Sequence, residues 1–280
     1  MPDVRFLFKV SRPRFWLYVF GPYLVGLAAA AVVMEDFRRL ESVIFGLYFL
    51  FPANLLIYGI NDIFDFETDR LNPKKSEYEL LVRPASHRGL SIWIVITNVP
   101  FVIAAYLLAP RALPSLAGFI FFAVFYSAWP IRAKAIPIVD SLFNILYVFP
   151  AAFAFQMIIG SFLPITVMIA AGLWTSSMHA FSAIPDIDAD REAGVSTIAT
   201  LLGKYGTLIF CGIAYVGSAI LAIPYLAGFA FVFGAIFAVM ILAAAVLRKG
   251  DAVFAIYRLF PVVNASVGFV LFWIVASKFL

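Results

Sequence analysis

Charged side chains are scarce in this chain. Of its 280 residues, 13% are Asp, Glu, Lys or Arg and 64% are hydrophobic, whereas a soluble globular domain carries about 25% charged residues. That scarcity excludes an ordinary soluble domain. Cysteine occurs once, as Cys211 inside an apolar segment. A disulfide framework and a thiolate metal site are therefore excluded, and Cys211 is expected to pack between helices. No cleavable leader is expected either. The first apolar run, starting near Phe15, is too long for a signal h-region and has no small-residue cleavage site. The net charge of +4 calls for no nucleic acid partner, because basic residues collect in the cytoplasmic loops of membrane proteins.

What the sequence does hold is a succession of apolar runs long enough to cross a hydrocarbon layer of roughly 30 Å. Nine spans are expected, near 14–34, 42–61, 90–109, 114–130, 138–159, 164–185, 205–227, 229–248 and 256–277. The chain is read as an all-α integral membrane protein, with 1–280 forming one transmembrane domain in contact with membrane lipid. Pro22, Pro52, Pro100, Pro150 and Pro224 fall in or near these spans. They are tolerable where neighbouring helices satisfy the freed carbonyls. In this topology 16 of the Lys and Arg residues lie on the side of the N-terminus and 4 on the other. The positive-inside rule then puts the N-terminus in the cytoplasm and the C-terminus outside. Spans 2 and 6 each end in an acidic stretch and a long polar loop on the cytoplasmic side, as two parallel halves related by an axis along the membrane normal would.

Those acidic stretches are "YGINDIFDFETDRLNPKK" (58–75) and "SAIPDIDADREAG" (182–194). On a helix continuing from span 2, Asn61, Asp65 and Asp69 fall at i, i+4 and i+8, flanked by Asp62. Asp186 and Asp190 are again i and i+4, while Asp188 points elsewhere. Carboxylates crowded on one face repel one another unless cations are present, and burying one near lipid costs about 2.5–3.5 kcal/mol. Magnesium resolves the conflict, because it prefers oxygen ligands and is usually held by one or two carboxylates plus substrate phosphates. Asn61, Asp62, Asp65, Asp69, Asp186 and Asp190 are therefore expected to hold magnesium on a diphosphate. Arg70, Lys74, Lys75, Arg83 and Arg88 in the 2–3 loop, with Arg132 and Lys134 in the 4–5 loop, supply charge-assisted donors to phosphate oxygens. Arg132 and Lys134 stand out because they sit in a short loop after "FYSAWP".

Other metal and phosphate sites do not fit. Counted from Asp62, a calcium loop needs glycine at its sixth position, where Glu67 stands, and Phe64 occupies the third. A CDP-alcohol phosphotransferase has a glycine directly after an early Asp pair and one compact motif; neither occurs here. His179 lies seven residues before Asp186 and is expected on the same helix face. Asp140 and Asn144 are i, i+4 polar residues at the start of span 5, functional suspects by position, with helix N-capping by Asp140 as the bland alternative. Arg12 and Arg14 are expected to anchor the first span at the headgroups, with a substrate contact as the alternative.

The same residues resemble the UbiA-type intramembrane prenyltransferases. "NDIFDFETD" is similar to their first aspartate motif, NDxxDxxxD, and "DIDADREAGVSTIATLLG" to their second, DxxxDxxxG with its Ser-Thr and Leu-Gly. "RPASHRGLS" and "YSAWPIRAKAIP" look like the family's segments before spans 3 and 5. Within the family, "SRPRFWLYVFGPYLVG", "NPKK", "DSLFNILYVFP" and "MHAFSAIPDIDADREAG" resemble the lycopene elongases of carotenoid synthesis. The resemblance implies nine transmembrane helices around a central cavity open to lipid. It also implies magnesium-dependent transfer of an allylic prenyl group, dimethylallyl favoured, from an isoprenoid diphosphate to a lipophilic acceptor in the bilayer such as lycopene. Asp65, Asp69, Asp186 and Asp190 become the catalytic carboxylates, and Tyr126 joins Arg70, Lys74, Arg83, Arg132 and Lys134 at the diphosphate. Tyr58, Asp140, Asn144, Tyr147 and His179 are candidates for the acceptor or the cation. Aromatic faces stabilise a cation by about 0.5–2 kcal/mol each, and the chain holds 31 Phe and 12 Tyr. The alternatives are a quinone-precursor prenyltransferase, a terpene cyclase of the same fold, and a cation-coupled transporter.

Overall fold

The structure is a computed structural model that describes residues 2–70, 80–246 and 250–279. All regular structure among the described residues is helical, as lipid demands of a chain whose backbone groups must bond within their own segment. In chain order the α-helices are α1 (Val4–Val10), α2 (Leu17–Ala30), α3 (Leu40–Leu50), α4 (Pro52–Phe64), α5 (Phe66–Asp69), α6 (His87–Leu108) and α7 (Leu113–Phe125). They continue with α8 (Val139–Leu142), α9 (Phe149–Ile159), α10 (Ile165–Ala183), α11 (Ile187–Glu192), α12 (Ile198–Leu226), α13 (Gly228–Val246) and α14 (Gly250–Ala276). Seven helical stretches among the described residues are long and apolar enough to cross a membrane. The chain is an integral membrane protein.

The spans expected at 14–34 and 114–130 are met by shorter helices, Leu17–Ala30 and the apolar stretch Pro110–Phe125. The first stops early for a local reason. Val32 and Val33 donate their N–H groups to Asp36 Oδ2 at 2.7 and 3.1 Å, diverting them from the helix ladder. Those two bonds, led by Val32, hold the Asp36 carboxyl below the usual carboxylate range; Arg39 and Lys278 act in the same direction, against the effect of burial. Arg39 Nη2 sits 2.7 Å from Asp36 Oδ1.

The chain divides into two compact units. One comprises Met1–Arg132, Phe149–Phe162 and Val275–Leu280. Its core is aromatic: Tyr23, Phe45, Tyr48, Phe49, Phe119 and Phe153 are all fully buried, with Phe45 and Phe153 rings 4.7 Å apart. Gly26 of α2 lies against the Ala151 backbone of α9, where a Cβ would collide, the close approach that small residues permit in membrane bundles. Span 2 is broken between α3 and α4 at Phe51 (φ −122°, ψ −61°) and Pro52. Asn54 Nδ2 donates to the carbonyls of Phe49 and Leu50, and Asn98 Nδ2 donates to that of Pro52, so side chains take up carbonyls at the break.

The other unit comprises Ala133–Val148 and Leu163–Ile274. Phe181, Ile184, Ile198, Leu208, Tyr215, Phe233, Phe237 and Phe260 form its core. Cys211 is fully buried there, its thiol donating to the Ser177 carbonyl at 3.4 Å; it packs between helices, as expected. Within α12 the backbone leaves helical geometry at Gly203 (φ 65°, ψ 178°). The left-handed φ suits glycine.

Candidate active site

In the first unit, α4 runs apolar from Pro52 to Tyr58 and then delivers the first acidic motif at its C-terminus. Asp65 caps α4, its N–H donating to the Asn61 carbonyl at 2.9 Å; the Asp69 N–H donates in turn to the Asp65 carbonyl at 2.8 Å. The i, i+4, i+8 stagger expected for Asn61, Asp65 and Asp69 is thus kept by the backbone. Asp65 is 1% exposed and Asp62 3%. Asn61 and Asp69 are half-buried.

Two arginines from other parts of the unit meet these carboxylates. Arg12 Nη2 stands 2.8 Å from Asp62 Oδ1, with its guanidinium 4.7 Å from the centre of the Tyr58 ring. Arg12 was expected at the headgroups. Its backbone instead takes a left-handed turn (φ 49°) that directs the side chain inward. Arg132, also left-handed (φ 47°), places Nη2 3.9 Å from Asp65 Oδ1 and its guanidinium 5.8 Å from the Trp129 ring. Arg132 Nε is buried with no hydrogen-bond partner among the described residues. Ser127 closes the arrangement: Asn61 Nδ2 donates to Ser127 Oγ at 3.1 Å, and Ser127 Oγ donates to Asp65 Oδ2 at 3.2 Å. Ser127 was not singled out by sequence; the signal for it was its place in "FYSAWP", one residue after Tyr126. The guanidiniums offset the repulsion that a bare acidic cluster would suffer.

Arg70 is exposed, its Nε 3.1 Å from Glu67. Arg83 and Arg88 are exposed on the approach to α6 and at its start. Tyr126 caps α7 and is half-buried. Lys74 and Lys75 lie outside the described residues.

In the second unit, α10 passes through a short 3₁₀ turn, Ile184–Asp186, into α11. Asp186 and Asp190 are half-buried while Asp188 is exposed, the division expected from their spacing. Gly194, left-handed at φ 67°, turns the chain back so that the Val195 N–H donates to the Asp190 carbonyl at 2.8 Å. Lys134 lies half-buried in the 3₁₀ turn Ala133–Ala135. Asp140 is fully buried. It does not cap its own helix, whose N-cap is Ile138; its Oδ2 instead accepts the N–H of Ile198, the first residue of α12, at 2.9 Å. Asn144 Nδ2 donates to the Asp140 carbonyl at 2.8 Å. His179 Nε2 stands 3.8 Å from Asp140 Oδ2. Tyr147 is half-buried at the end of the turn before α9.

These donors suit magnesium. They are hard oxygens, and among the described residues no three Asp, Glu, His or Cys side chains converge into a ready-made cage. Hard carboxylate and amide oxygens are the donors that magnesium prefers.

Comparison with known proteins gives consistent results. The profile of the UbiA prenyltransferase family matches residues 19–275. The chain is 42% identical over 267 residues to the lycopene elongase/hydratase of Haloferax volcanii, covering 94% of this chain and 86% of that one. It is 41% identical over 271 residues to the lycopene elongase/hydratase of Halobacterium salinarum, covering 95% of each. Among solved structures, a UbiA homologue from Archaeoglobus fulgidus bound to DMAPP and Mg2+ matches with a TM-score of 0.73 at 19% identity, over 95% of this chain and 98% of that one. At that identity the likeness is one of fold.

Proposed function

Because the chain belongs to the UbiA prenyltransferase family, we propose that it transfers a dimethylallyl group from its diphosphate to a carotenoid acceptor, lycopene or a close analogue. The acceptor rests on the relatives that share about two fifths of its residues along nearly its whole length. The ionisation chemistry rests on one observation: Asp65, 1% exposed, stands between the Arg132 guanidinium and the Ser127 hydroxyl at the C-terminal end of α4.

We assign Asp65 and Asp69 to the binding of magnesium and diphosphate, with Asn61 as a neutral oxygen donor, and on their own motif assign Asp186 and Asp190 the same chemistry. Magnesium, when bound, supplies Lewis-acid neutralisation of the charge that gathers on the departing diphosphate. The chain's own side chains do the rest. Arg132 and Lys134 donate charge-assisted hydrogen bonds to phosphate oxygens, strongest as the leaving group takes its full charge. Ser127 fixes the Asp65 carboxylate and the Asn61 amide relative to each other. Asp62, engaged by Arg12, serves to hold the N-terminal segment against α4. Apolar and aromatic side chains exclude water from the allylic cation, so that the carotenoid double bond captures it. We place the N-terminus and the acidic motifs on the cytoplasmic side, where the 16 basic residues lie.

The reading is tested by pyrophosphate release from purified protein with dimethylallyl diphosphate and magnesium. Release that requires lycopene supports it. Release with 4-hydroxybenzoate, or with no acceptor, moves the protein to a quinone-precursor transferase or a cyclase.

A further inference from the structure

The first helix, α1, is too short to cross the bilayer. Its seven residues, Val4–Val10, span about 10 Å at 1.5 Å per residue. It is nonetheless a separate and properly capped helix. Asp3 accepts the Phe6 N–H at 2.7 Å, and Pro13 with the left-handed turn at Arg12 divides α1 from α2. The diphosphate chemistry asks nothing of α1 itself.

At 3.6 residues per turn its side chains fall into three sectors. Leu7 and Val10, 4% and 1% exposed, form the inner sector where α1 packs on α4. Val4 and Phe8, one turn apart, form an apolar ridge that is 79% and 48% exposed. Arg5 and Lys9, again one turn apart, form an exposed basic ridge beside it. Water leaves the first ridge wet, and hydrocarbon strips the second of its hydration. The boundary between headgroups and acyl chains suits both at once, taking the apolar ridge on one side and the cations on the other.

The neighbours of α1 set it at that level. The Phe8 ring stands edge-on to Trp16, with centroids 5.4 Å apart. Trp16 is the residue that leads into α2, and tryptophan favours the membrane–water interface. Leu17, next in the chain, is 59% exposed, so the apolar ridge of α1 continues into the exposed apolar surface of α2. The complement of two cations on one ridge is a lipid of net negative charge. An anionic leaflet favours each Lys or Arg near its surface by about fivefold.

We propose that α1 is an interfacial docking helix for anionic phospholipid. Val4 and Phe8 lie among the upper acyl chains, and Arg5 and Lys9 donate charge-assisted hydrogen bonds to headgroup phosphates.

The test uses the full chain with Val4→Cys, labelled with a bimane fluorophore. Cys211 is the one native cysteine and is 0% exposed, so the new thiol takes the label. The protein is placed in phosphatidylcholine nanodiscs, in which a rising fraction of lipid is replaced by acyl-chain-brominated phosphatidylglycerol or by brominated phosphatidylcholine. Bromine quenches the label only at contact. We expect both lipids to quench, with half-quenching by phosphatidylglycerol at a mole fraction lower by at least about fivefold. Arg5→Gln together with Lys9→Gln should keep the quenching by phosphatidylcholine and bring the two lipids within about twofold of each other. Lys9→Arg, which keeps the charge, should keep the preference. Absence of quenching by either lipid puts the helix in water or under another protein and overturns the proposal. Equal quenching by the two lipids with both cations present overturns it too, as does a preference that survives the loss of both. No substrate enters the measurement, so its outcome stands apart from the carotenoid reading.

Discussion

Arg12 Nη2 lies 2.8 Å from Asp62 Oδ1 across fifty residues of chain, and the same guanidinium covers the face of Tyr58. Arg12→Ala removes the guanidinium that is paired with the buried Asp62, 3% exposed. Removing one partner of a buried pair costs roughly 3–5 kcal/mol; the lower end applies here because Arg12 is 15% exposed. The expected outcome is a clearly lowered Tm in detergent, with Arg12→Lys intermediate because lysine lacks the planar fork and stacks less well. An unchanged Tm for Arg12→Ala would remove the structural role assigned to this pair.

Asp65→Ala and Asp186→Ala should each reduce diphosphate release by about 10²–10³-fold, the scale seen when a preorganised electrostatic group is lost. Both variants should still extract from the membrane as folded protein. Near-normal turnover in either would mean that its motif does not act on the diphosphate.

Ser127→Ala removes the hydroxyl that links Asn61 to Asp65. A single hydrogen bond is worth about 0.5–1.5 kcal/mol, so a loss of roughly two- to tenfold in kcat/KM is expected. The loss should be accompanied by a weaker apparent affinity for magnesium. Full activity at limiting magnesium would show that the link is incidental.

Ser127 also marks where sequence reading stops. Aspartates in an otherwise apolar chain are conspicuous because lipid penalises them, and their i, i+4 spacing survives in the backbone of 61–69. The motifs and the helical class were therefore legible, and Arg132 of the 4–5 loop does stand 3.9 Å from Asp65. A serine in a turn carries no such penalty, and its place in "FYSAWP" is a faint signal beside the aspartates until the fold brings it to Asp65. The pairing of Arg12 with Asp62 was not legible for a different reason: it accompanies a left-handed backbone turn at Arg12, which non-glycine residues adopt rarely and local sequence does not announce. Asp140 was legible as an N-cap, but the helix it serves begins fifty-eight residues later.

The Asp36 carboxylate offers a test by pH, away from the membrane-spanning segments. Its folded pKa is lowered, first by the Val32 N–H and then by the Val33 N–H. A lowered folded pKa gives stability that is present above the unfolded value, about 3.9, and lost as pH falls through the folded one. Asp36→Asn should therefore lower Tm at neutral pH, by roughly 2–4 °C if the loss is near 1 kcal/mol. The gap to wild type should close as pH falls below about 4. A gap that stays constant with pH would contradict the assignment.

The central claim is that a prenyl group ends on a carotenoid. The most direct measurement is the fate of isotope-labelled dimethylallyl diphosphate incubated with purified protein, magnesium and lycopene, with products separated and weighed by mass spectrometry. The account predicts label in carotenoid products heavier than lycopene by one or two prenyl units, dependent on magnesium and absent in Asp65→Ala. Label recovered only on an aromatic acid or a cyclised terpene, with lycopene unchanged, would contradict it.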